Sequence, residues 1–223
     1  MKTGKQAAAV LSFLKELYPE PKPALNYTTP FELLIATILS AQCTDARVNI
    51  VTESLFRKYQ KPEDYLKVPE EELEKDIFST GFYRQKGKSI RACCTVLIEK
   101  YEGKVPLDFD KLVELPGVGR KTASVVAGNA FGIPAIAVDT HVKRLSNLLG
   151  FVETDDPEKI ESALKVLFPA KEWVGLSHRL AAHGRNICFA RNPQCHECLL
   201  RELCPSARTH DEQSELRKKK KKP

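Results

Sequence analysis

A glycine turn between two helical stretches constrains this sequence more than any other feature. Residues 109–115 carry apolar side chains at helical spacing, and residues 122–127 resume a helical run rich in small residues. The turn itself reads Leu-Pro-Gly-Val-Gly-Arg-Lys, residues 115–121. Its proline cannot continue the first helix, while Gly117 and Gly119 permit positive φ and a close approach of a ligand to the backbone. The pattern predicts two helices that meet at a tight hairpin.

The start of the second helix is predicted to bind an anion. Its first backbone N–H groups have no intrahelical acceptor, and the helix dipole adds partial positive charge, which together suit a phosphate oxygen. Arg120 and Lys121 lie in this first turn, where the dipole disfavours cations by roughly 0.3–1 kcal/mol each. That cost suggests that the two cations have a task. On pattern alone, a plain helical hairpin with solvated cations explains the stretch equally well.

The composition predicts a soluble intracellular protein and is compatible with a polyanionic partner. The chain has 223 residues and a formal charge of +6, a basic excess that fits such a partner without identifying one. No apolar run approaches the ~20 residues needed to span a bilayer. The short apolar stretch near the N-terminus is interrupted by Lys15 and Glu16 and indicates an amphipathic helix rather than a signal peptide.

The cysteines indicate a metal site near the C-terminus. Four of the seven, Cys188, Cys195, Cys198 and Cys204, have the spacing C-x6-C-x2-C-x5-C. Such a cluster favours metal binding in a reducing compartment over a disulfide framework. Four thiolates can bind zinc tetrahedrally or hold a four-iron, four-sulfur cluster, and the softness of sulfur does not decide between them.

Helical patterns follow one another along the chain without an alternating strand segment, which predicts an all-α protein. Residues 31–40 are apolar on nearly every helical face and are predicted to be central and buried. Gln42 follows where this helix reaches the surface. A glycine-centred turn at residues 79–86 contains Phe82, whose ring either inserts between DNA bases or folds onto the core.

Taken together, these motifs resemble the endonuclease III family of helix-hairpin-helix DNA glycosylases. Leu-Pro-Gly-Val-Gly-Arg-Lys-Thr-Ala, residues 115–123, is similar to the hairpin motif of that family. Residues 138–144, Val-Asp-Thr-His-Val-Lys-Arg, are similar to its following aspartate segment, and residues 40–45 and the terminal cysteines also match. The four motifs occur in the family's order over nearly the whole chain.

The resemblance implies a bifunctional DNA glycosylase and abasic-site lyase that removes oxidised pyrimidines from duplex DNA in base excision repair. Lys121 then attacks C1′, releases the base, forms a Schiff base and allows β-elimination. Because an ordinary lysine is protonated at neutral pH, the site must favour the free amine, and we expect the helix N-terminus, Arg120 and partial burial to do so. Asp139 is implied to accept a proton and stabilise charge at C1′, and it is also a good helix N-cap.

The resemblance also implies DNA contacts. Gln42 fills the gap left by the extruded base, and Phe82 is the inserting side chain, although many family members have leucine there. The hairpin contacts are Gly117, Val118, Gly119 and Arg120. Asp45 and His141 are candidates for the base pocket, though a histidine in a capping turn is at least as common.

For the architecture, the resemblance implies two helical lobes with a DNA-binding cleft between them. A six-helix barrel lobe with the hairpin is expected over residues 25–132, and a discontinuous cluster lobe over residues 1–24 and 133–210. Residues 211–223 are expected to form a basic disordered tail. The four terminal cysteines are implied to hold a structural [4Fe-4S] cluster, with zinc as the alternative, and to order a loop bearing Arg185, Arg191 and Arg201.

The expected partner is damaged double-stranded DNA, bound by a monomer in a bacterial-type cytoplasm at the nucleoid, with no membrane contact. Adenine-removing relatives usually lack the lysine, carry a glutamate near the position of Ile38 and have an additional C-terminal domain, so the chain fits them poorly. Two hypotheses from other classes remain. One is a noncatalytic DNA-binding module, and the other is a zinc-stabilised helical interaction protein.

Overall fold

The computed structural model describes residues 3–207, which are helical with no strand among them. The all-α prediction is therefore confirmed. No helix in this part of the chain is long and apolar enough to cross a membrane. The basic tail predicted at residues 211–223 lies outside the described residues.

The described residues form α-helices of 5 to 19 residues. In chain order they are α1 (Gly4–Leu17), α2 (Pro30–Leu39), α3 (Asp45–Lys58), α4 (Pro62–Lys67), α5 (Glu70–Ile77), α6 (Tyr83–Tyr101), α7 (Phe109–Val113), α8 (Arg120–Phe131), α9 (Thr140–Leu148), α10 (Pro157–Leu167) and α11 (Trp173–Asn186). The described chain divides into two compact units. One unit is Pro23–Ala135, and the other comprises the described residues of Met1–Lys22 and Ile136–Pro223.

Helix α2 forms the centre of the unit Pro23–Ala135. Thr29 caps it by accepting a hydrogen bond from the Glu32 backbone N–H, the Glu32 side chain bonds back to the cap, and Pro30 occupies the first turn. Every later residue of α2 except Glu32 is buried. Burying each large apolar side chain contributes about 1.5–3 kcal/mol relative to exposure, so the predicted central position of this helix follows from its composition. The helices packed against it are α3, α6 and α8.

The second unit has its own apolar core, built from α1, α9, α10 and α11. Phe151 and Phe168 meet edge to face in it, with ring centroids 5.3 Å apart. Arg179 of α11 donates from Nε to the Tyr18 carbonyl at 3.0 Å. This bond fastens the end of α1 to the last long helix, so residues far apart in sequence share one core.

Helix α4 was not predicted from the sequence. It has six residues, Pro-Glu-Asp-Tyr-Leu-Lys, too few to display a helical period. Its helical form depends on tertiary packing, since Tyr65 is fully buried and its ring lies 5.0 Å from that of Tyr59. Cys93 and Cys94 are fully buried in the same core.

Candidate active site and cluster loop

The predicted hairpin connects α7 to α8. The Val118 N–H donates to the Leu115 carbonyl at 3.0 Å, which closes a tight turn. Within it Gly117 has φ +78°, a left-handed conformation that a residue with a side chain rarely adopts. A Cβ at this position would lie 2.8 Å from the Cβ of Ser89 on α6. Glycine is therefore required here both by the backbone conformation and by contact with α6.

Two properties were predicted for Gly119, a permitted positive φ and a backbone open to a ligand, and the structure uses only the second. Its φ is −89°, so the left-handed conformation that glycine permits is not adopted here. It is the N-cap of α8, and a Cβ here would meet no atom of the described residues within 4 Å. Having no side chain, it leaves the first N–H groups of α8 open to approach from outside, and such groups suit a phosphate oxygen.

Arg120 and Lys121 are the first two residues of α8 and both are exposed. The Arg120 guanidinium carbon lies 5.4 Å from the ring centre of Phe109, a cation–π contact across the hairpin. The expected partial burial of Lys121 is wrong within the described chain. Its amine is instead accessible at a helix N-terminus, where an incoming DNA strand would meet it.

Gln42 and Phe82 lie on exposed turns of the same unit. Both have left-handed backbones, with φ 52° and φ 48°, which is uncommon for residues other than glycine. Phe82 is 65% exposed, so its ring does not fold onto the core. Asp45, half-buried, begins α3 shortly after Gln42.

Asp139 is the N-cap of α9 in the other unit. It accepts a hydrogen bond from the Val142 N–H at 2.7 Å, as expected of a capping carboxylate. His141, in the first turn of α9, is half-buried, and burial lowers its pKa from the ordinary value. A Cβ at Gly184 would lie 2.7 Å from His141 Nδ1, so α11 packs closely against α9 at this point.

The four terminal cysteines line one cavity of about 390 Å³, counting its open mouth. None of them forms a disulfide. Burial raises the pKa of the Cys188 thiol to about 11. A thiolate at this site therefore costs free energy unless a positively charged group compensates its charge. Among the described residues no three His, Cys, Asp or Glu side chains converge closely enough for a single ion. Four sulfurs that line one cavity without converging on a single point suit a cluster of several atoms better than one ion.

Two side chains that the sequence analysis missed support this loop. Arg144 of α9 donates from Nη2 to the carbonyls of Cys188 at 2.6 Å and Gly184 at 3.1 Å. His183 Nε2 lies 3.4 Å from Cys198 Sγ. Arg144 lies in the segment that resembles the family, but nothing local in its sequence indicates that it faces the cysteine loop. The arginines predicted to face the DNA backbone, Arg185, Arg191 and Arg201, are exposed.

Comparison with known proteins agrees with this geometry. The model of the HhH-GPD superfamily of base excision DNA repair proteins matches residues 35–170. The model of the iron–sulfur binding domain of endonuclease III matches residues 188–204, from the first to the last cysteine of the loop. Both matches fall on the segments that carry the hairpin, Asp139 and the cysteines.

Similar proteins cover almost the whole chain. Endonuclease III of Bacillus subtilis is 49% identical over 93% of this chain and 95% of its own length. A non-covalent endonuclease III–DNA complex matches with a TM-score of 0.92 and 49% identity over 95% of this chain and 100% of that one. A trapped endonuclease III–DNA covalent intermediate matches with a TM-score of 0.91 and 50% identity, with the same coverage. The chain belongs to the endonuclease III family.

Membership defines the general activity. The chain is a base excision repair enzyme, a DNA glycosylase with abasic-site lyase activity whose partner is DNA. Its cofactor is a [4Fe-4S] cluster rather than the alternative zinc ion. The family resemblance and the all-α fold are thus confirmed, and the noncatalytic and zinc-protein hypotheses are not supported.

Replacing the two hairpin glycines by alanine is predicted to change the free energy of unfolding by different amounts. Gly117→Ala places a side chain in a left-handed backbone and against Ser89, so unfolding in urea should show a loss of about 2 kcal/mol or more. Gly119→Ala loses a favourable N-cap but also restricts the unfolded chain. Because these two effects nearly cancel, the free energy of unfolding should change little.

DNA affinity separates the two variants further. The Gly119→Ala methyl group occupies the space through which a phosphate would reach α8, so fluorescence anisotropy with an abasic-analogue duplex should show binding weakened about 10-fold or more. Wild-type affinity in Gly119→Ala would contradict a phosphate site at this turn.

Proposed function

We propose that this enzyme removes oxidised pyrimidines from duplex DNA and cuts the strand through a Schiff base on Lys121. The observation that carries the proposal is the exposed amine of Lys121 in the first turn of α8, next to the open backbone of Gly119. A phosphate held by the first N–H groups of α8 would bring the adjoining sugar toward that amine. The preference for oxidised pyrimidines rests on the family resemblance.

The proposed reaction balances with one lysine and one proton acceptor. The free amine of Lys121 forms a bond to C1′ while the glycosidic bond breaks, and the base leaves with the bonding electrons and takes up a proton. The nitrogen lone pair then forms the C–N double bond as the C1′–O4′ bond breaks and O4′ takes up a proton, which opens the sugar to a Schiff base. Loss of a proton from C2′ gives an enamine, whose electrons form a C2′–C3′ double bond as the 3′ phosphate leaves. Water finally hydrolyses the C–N bond and releases the enzyme.

Asp139 is proposed to act on the same sugar. Its carboxylate would take the proton lost by the attacking amine and stabilise positive charge that develops at C1′. The hydrogen bond from the Val142 N–H, 2.7 Å long, supports this role because it fixes the orientation of the carboxylate. One oxygen caps α9, which leaves the other available to the substrate.

Contacts to the extruded base, the gap it leaves and the DNA backbone complete the proposed complex. Gln42 fills the space vacated by the extruded base and Phe82 inserts beside it, and the exposure of both supports these roles. Asp45 and His141 contact the extruded base. The hairpin residues that bind the DNA backbone are Gly117, Val118, Gly119 and Arg120.

Cys188, Cys195, Cys198 and Cys204 are proposed to bind the four irons of the cluster. Four protein ligands leave no open coordination position, so the cluster is structural and orders the loop bearing Arg185, Arg191 and Arg201 against DNA phosphates. Their position around one cavity supports this assignment. The proposed enzyme acts as a monomer, without a membrane, on DNA of the bacterial nucleoid, as the family resemblance implies.

Lys121→Ala is predicted to abolish strand cleavage. On a duplex with one oxidised thymine, wild type should release the base and cut the strand, while the variant should lose both activities because no other group replaces the amine. Lys111→Ala, which removes an exposed lysine from the preceding helix, is the matched control and should keep both. Base release that survives in Lys121→Ala would instead indicate water as the nucleophile, and a wild type that binds DNA but releases no base would revive the noncatalytic module.

Asp139→Asn separates capping from chemistry. Asparagine caps helices about as well as aspartate, so the free energy of unfolding should change by less than about 0.5 kcal/mol. The rate of base release should fall about 100-fold or more, because the amide cannot accept the proton. Asp156→Asn, at the N-cap of α10, is the control and should leave the rate unchanged. Equal rates for wild type and Asp139→Asn would limit Asp139 to its capping role.

Iron analysis tests the cysteine assignment. The purified chain should contain roughly four irons and absorb visible light, and Cys198→Ala should lose most of both signals. Cys43→Ala, which changes a cysteine of the other unit, should retain them. A full iron content in Cys198→Ala would remove this residue from the ligand set.

A further inference from the structure

Lys86 is a buried lysine that neither the sequence motifs nor the proposed chemistry uses. It lies in the first turns of α6 and is only 5% exposed. Its Nζ donates to the carbonyl of Leu39 at 2.8 Å and to the carbonyl of Thr80 at 2.8 Å. A lysine is seldom buried unless its amine is paired, and here its two partners are backbone atoms of separate segments.

The two acceptors stand directly before the two proposed DNA-inserting residues. Leu39 is the last residue of α2, where carbonyls lack an intrahelical donor, and Gln42 follows three positions later. Thr80 ends the short helical turn Phe78–Thr80, and Phe82 follows two positions later. Lys86 therefore links the starts of two turns that are about 40 residues apart in the sequence.

Both turns need external support. Gln42 and Phe82 have left-handed backbones, a conformation that costs free energy in residues with side chains and persists where the surroundings impose it. Both side chains are exposed, so packing of the side chains themselves does not hold them. Backbone hydrogen bonds close each turn locally, from the Cys43 N–H to the Ser40 carbonyl and from the Lys86 N–H to the Phe82 carbonyl. The Lys86 amine adds a link from one turn to the other. A neutral amine has two N–H donors, so the link persists even though burial lowers the pKa of Lys86.

We propose that Lys86 is a positioning residue that sets the spacing and orientation of Gln42 and Phe82, so that both side chains enter the duplex together. This inference rests on the insertion role proposed for Gln42 and Phe82. If Lys86 acts in this way, it matters most when the base must be pulled from an intact stack. It matters little when the base is already unpaired, because extrusion then costs least.

Arg91 provides a matched control on the same helix. It also holds backbone carbonyls, donating from Nη1 to Tyr65 and Val68, each at 2.8 Å. Those carbonyls belong to the α4 region and adjoin neither inserting turn. Lys86→Met and Arg91→Met each replace a carbonyl-binding cation of α6 by an unbranched apolar side chain.

The test compares single-turnover base release from two substrates. In one, an oxidised thymine is paired within a duplex, and in the other the same lesion lies in an unpaired bubble. Lys86→Met should slow base release from the paired duplex by about 10- to 100-fold, because a shift of the inserting side chains by about 1 Å has an effect of this size. The rate of release from the bubble should stay within about twofold of wild type. Arg91→Met should change the ratio of the two rates little, whatever it does to unfolding in urea.

The proposal is overturned if Lys86→Met does not slow base release from the paired duplex selectively. It is also overturned if Arg91→Met shows the same selective loss, which would indicate general destabilisation. If Lys86→Met does not fold, Lys86→Gln takes its place in the experiment. The glutamine amide can reach one of the two carbonyls, so a smaller selective loss of base release from the paired duplex is expected. A wild-type ratio of the two rates in Lys86→Gln would contradict the positioning role.

The insertion role itself is tested separately with Gln42→Gly and Phe82→Gly, because glycine tolerates both left-handed backbones. If both glycine variants release the base more slowly from the paired duplex alone, while Lys86→Met keeps the wild-type ratio of paired to bubble rates, only the positioning role is overturned. Normal ratios in both glycine variants overturn the insertion role, and the inference about Lys86 falls with it.

Discussion

The contact of Gly117 with Ser89 fixes the hairpin that precedes Lys121, the proposed nucleophile. It allows the hairpin backbone to lie against α6, at a distance that leaves no room for a Cβ. Helix α6 in turn packs against α2, α4 and α5. Lys86 and Arg91 of the same helix extend this support to the end of α2 and to the α4 region through backbone carbonyls. One helix thus supports the hairpin and the two exposed turns proposed to enter DNA.

The other unit shows a comparable arrangement around α9. Asp139 caps its first turn, and Arg144, five residues later, binds the carbonyl of Cys188. The carboxylate proposed to act at C1′ and the first cysteine of the cluster loop are therefore attached to the same short helix. If the four cysteines hold the cluster as proposed, the loop that it orders would also restrain α9 through Arg144.

The sequence was most informative where structure is set locally. The hairpin follows from a proline that ends one helix and glycines that turn the chain, and the caps at Asp139 and Asp156 follow from aspartates that precede helical runs. At Gly119 the sequence left open which of two properties of glycine matters, a permitted positive φ or an open backbone. The structure shows that the space outside the backbone, rather than the dihedral angle, makes glycine suitable.

Features that depend on tertiary contacts were not predictable. Lys86 follows Arg84 in a basic stretch, and nothing local distinguishes the buried cation from its exposed neighbours. The exposure of Phe82 likewise depends on whether the surrounding core has room for a ring. Lys121 was expected to be partly buried, but the first turn of α8 projects from the core. Its desolvation, if catalysis needs it, must come from the bound DNA.

The most direct test of the account is to identify the amine that bonds to DNA. The enzyme would be incubated with a duplex containing one oxidised thymine in the presence of borohydride, which reduces a Schiff base to a stable amine. The adduct would then be digested with trypsin and sequenced by mass spectrometry. The account predicts a sugar remnant on Lys121 and no tryptic cleavage after it. A remnant on another lysine would contradict the assignment of the nucleophile, and base release without any trapped adduct would contradict the Schiff-base mechanism.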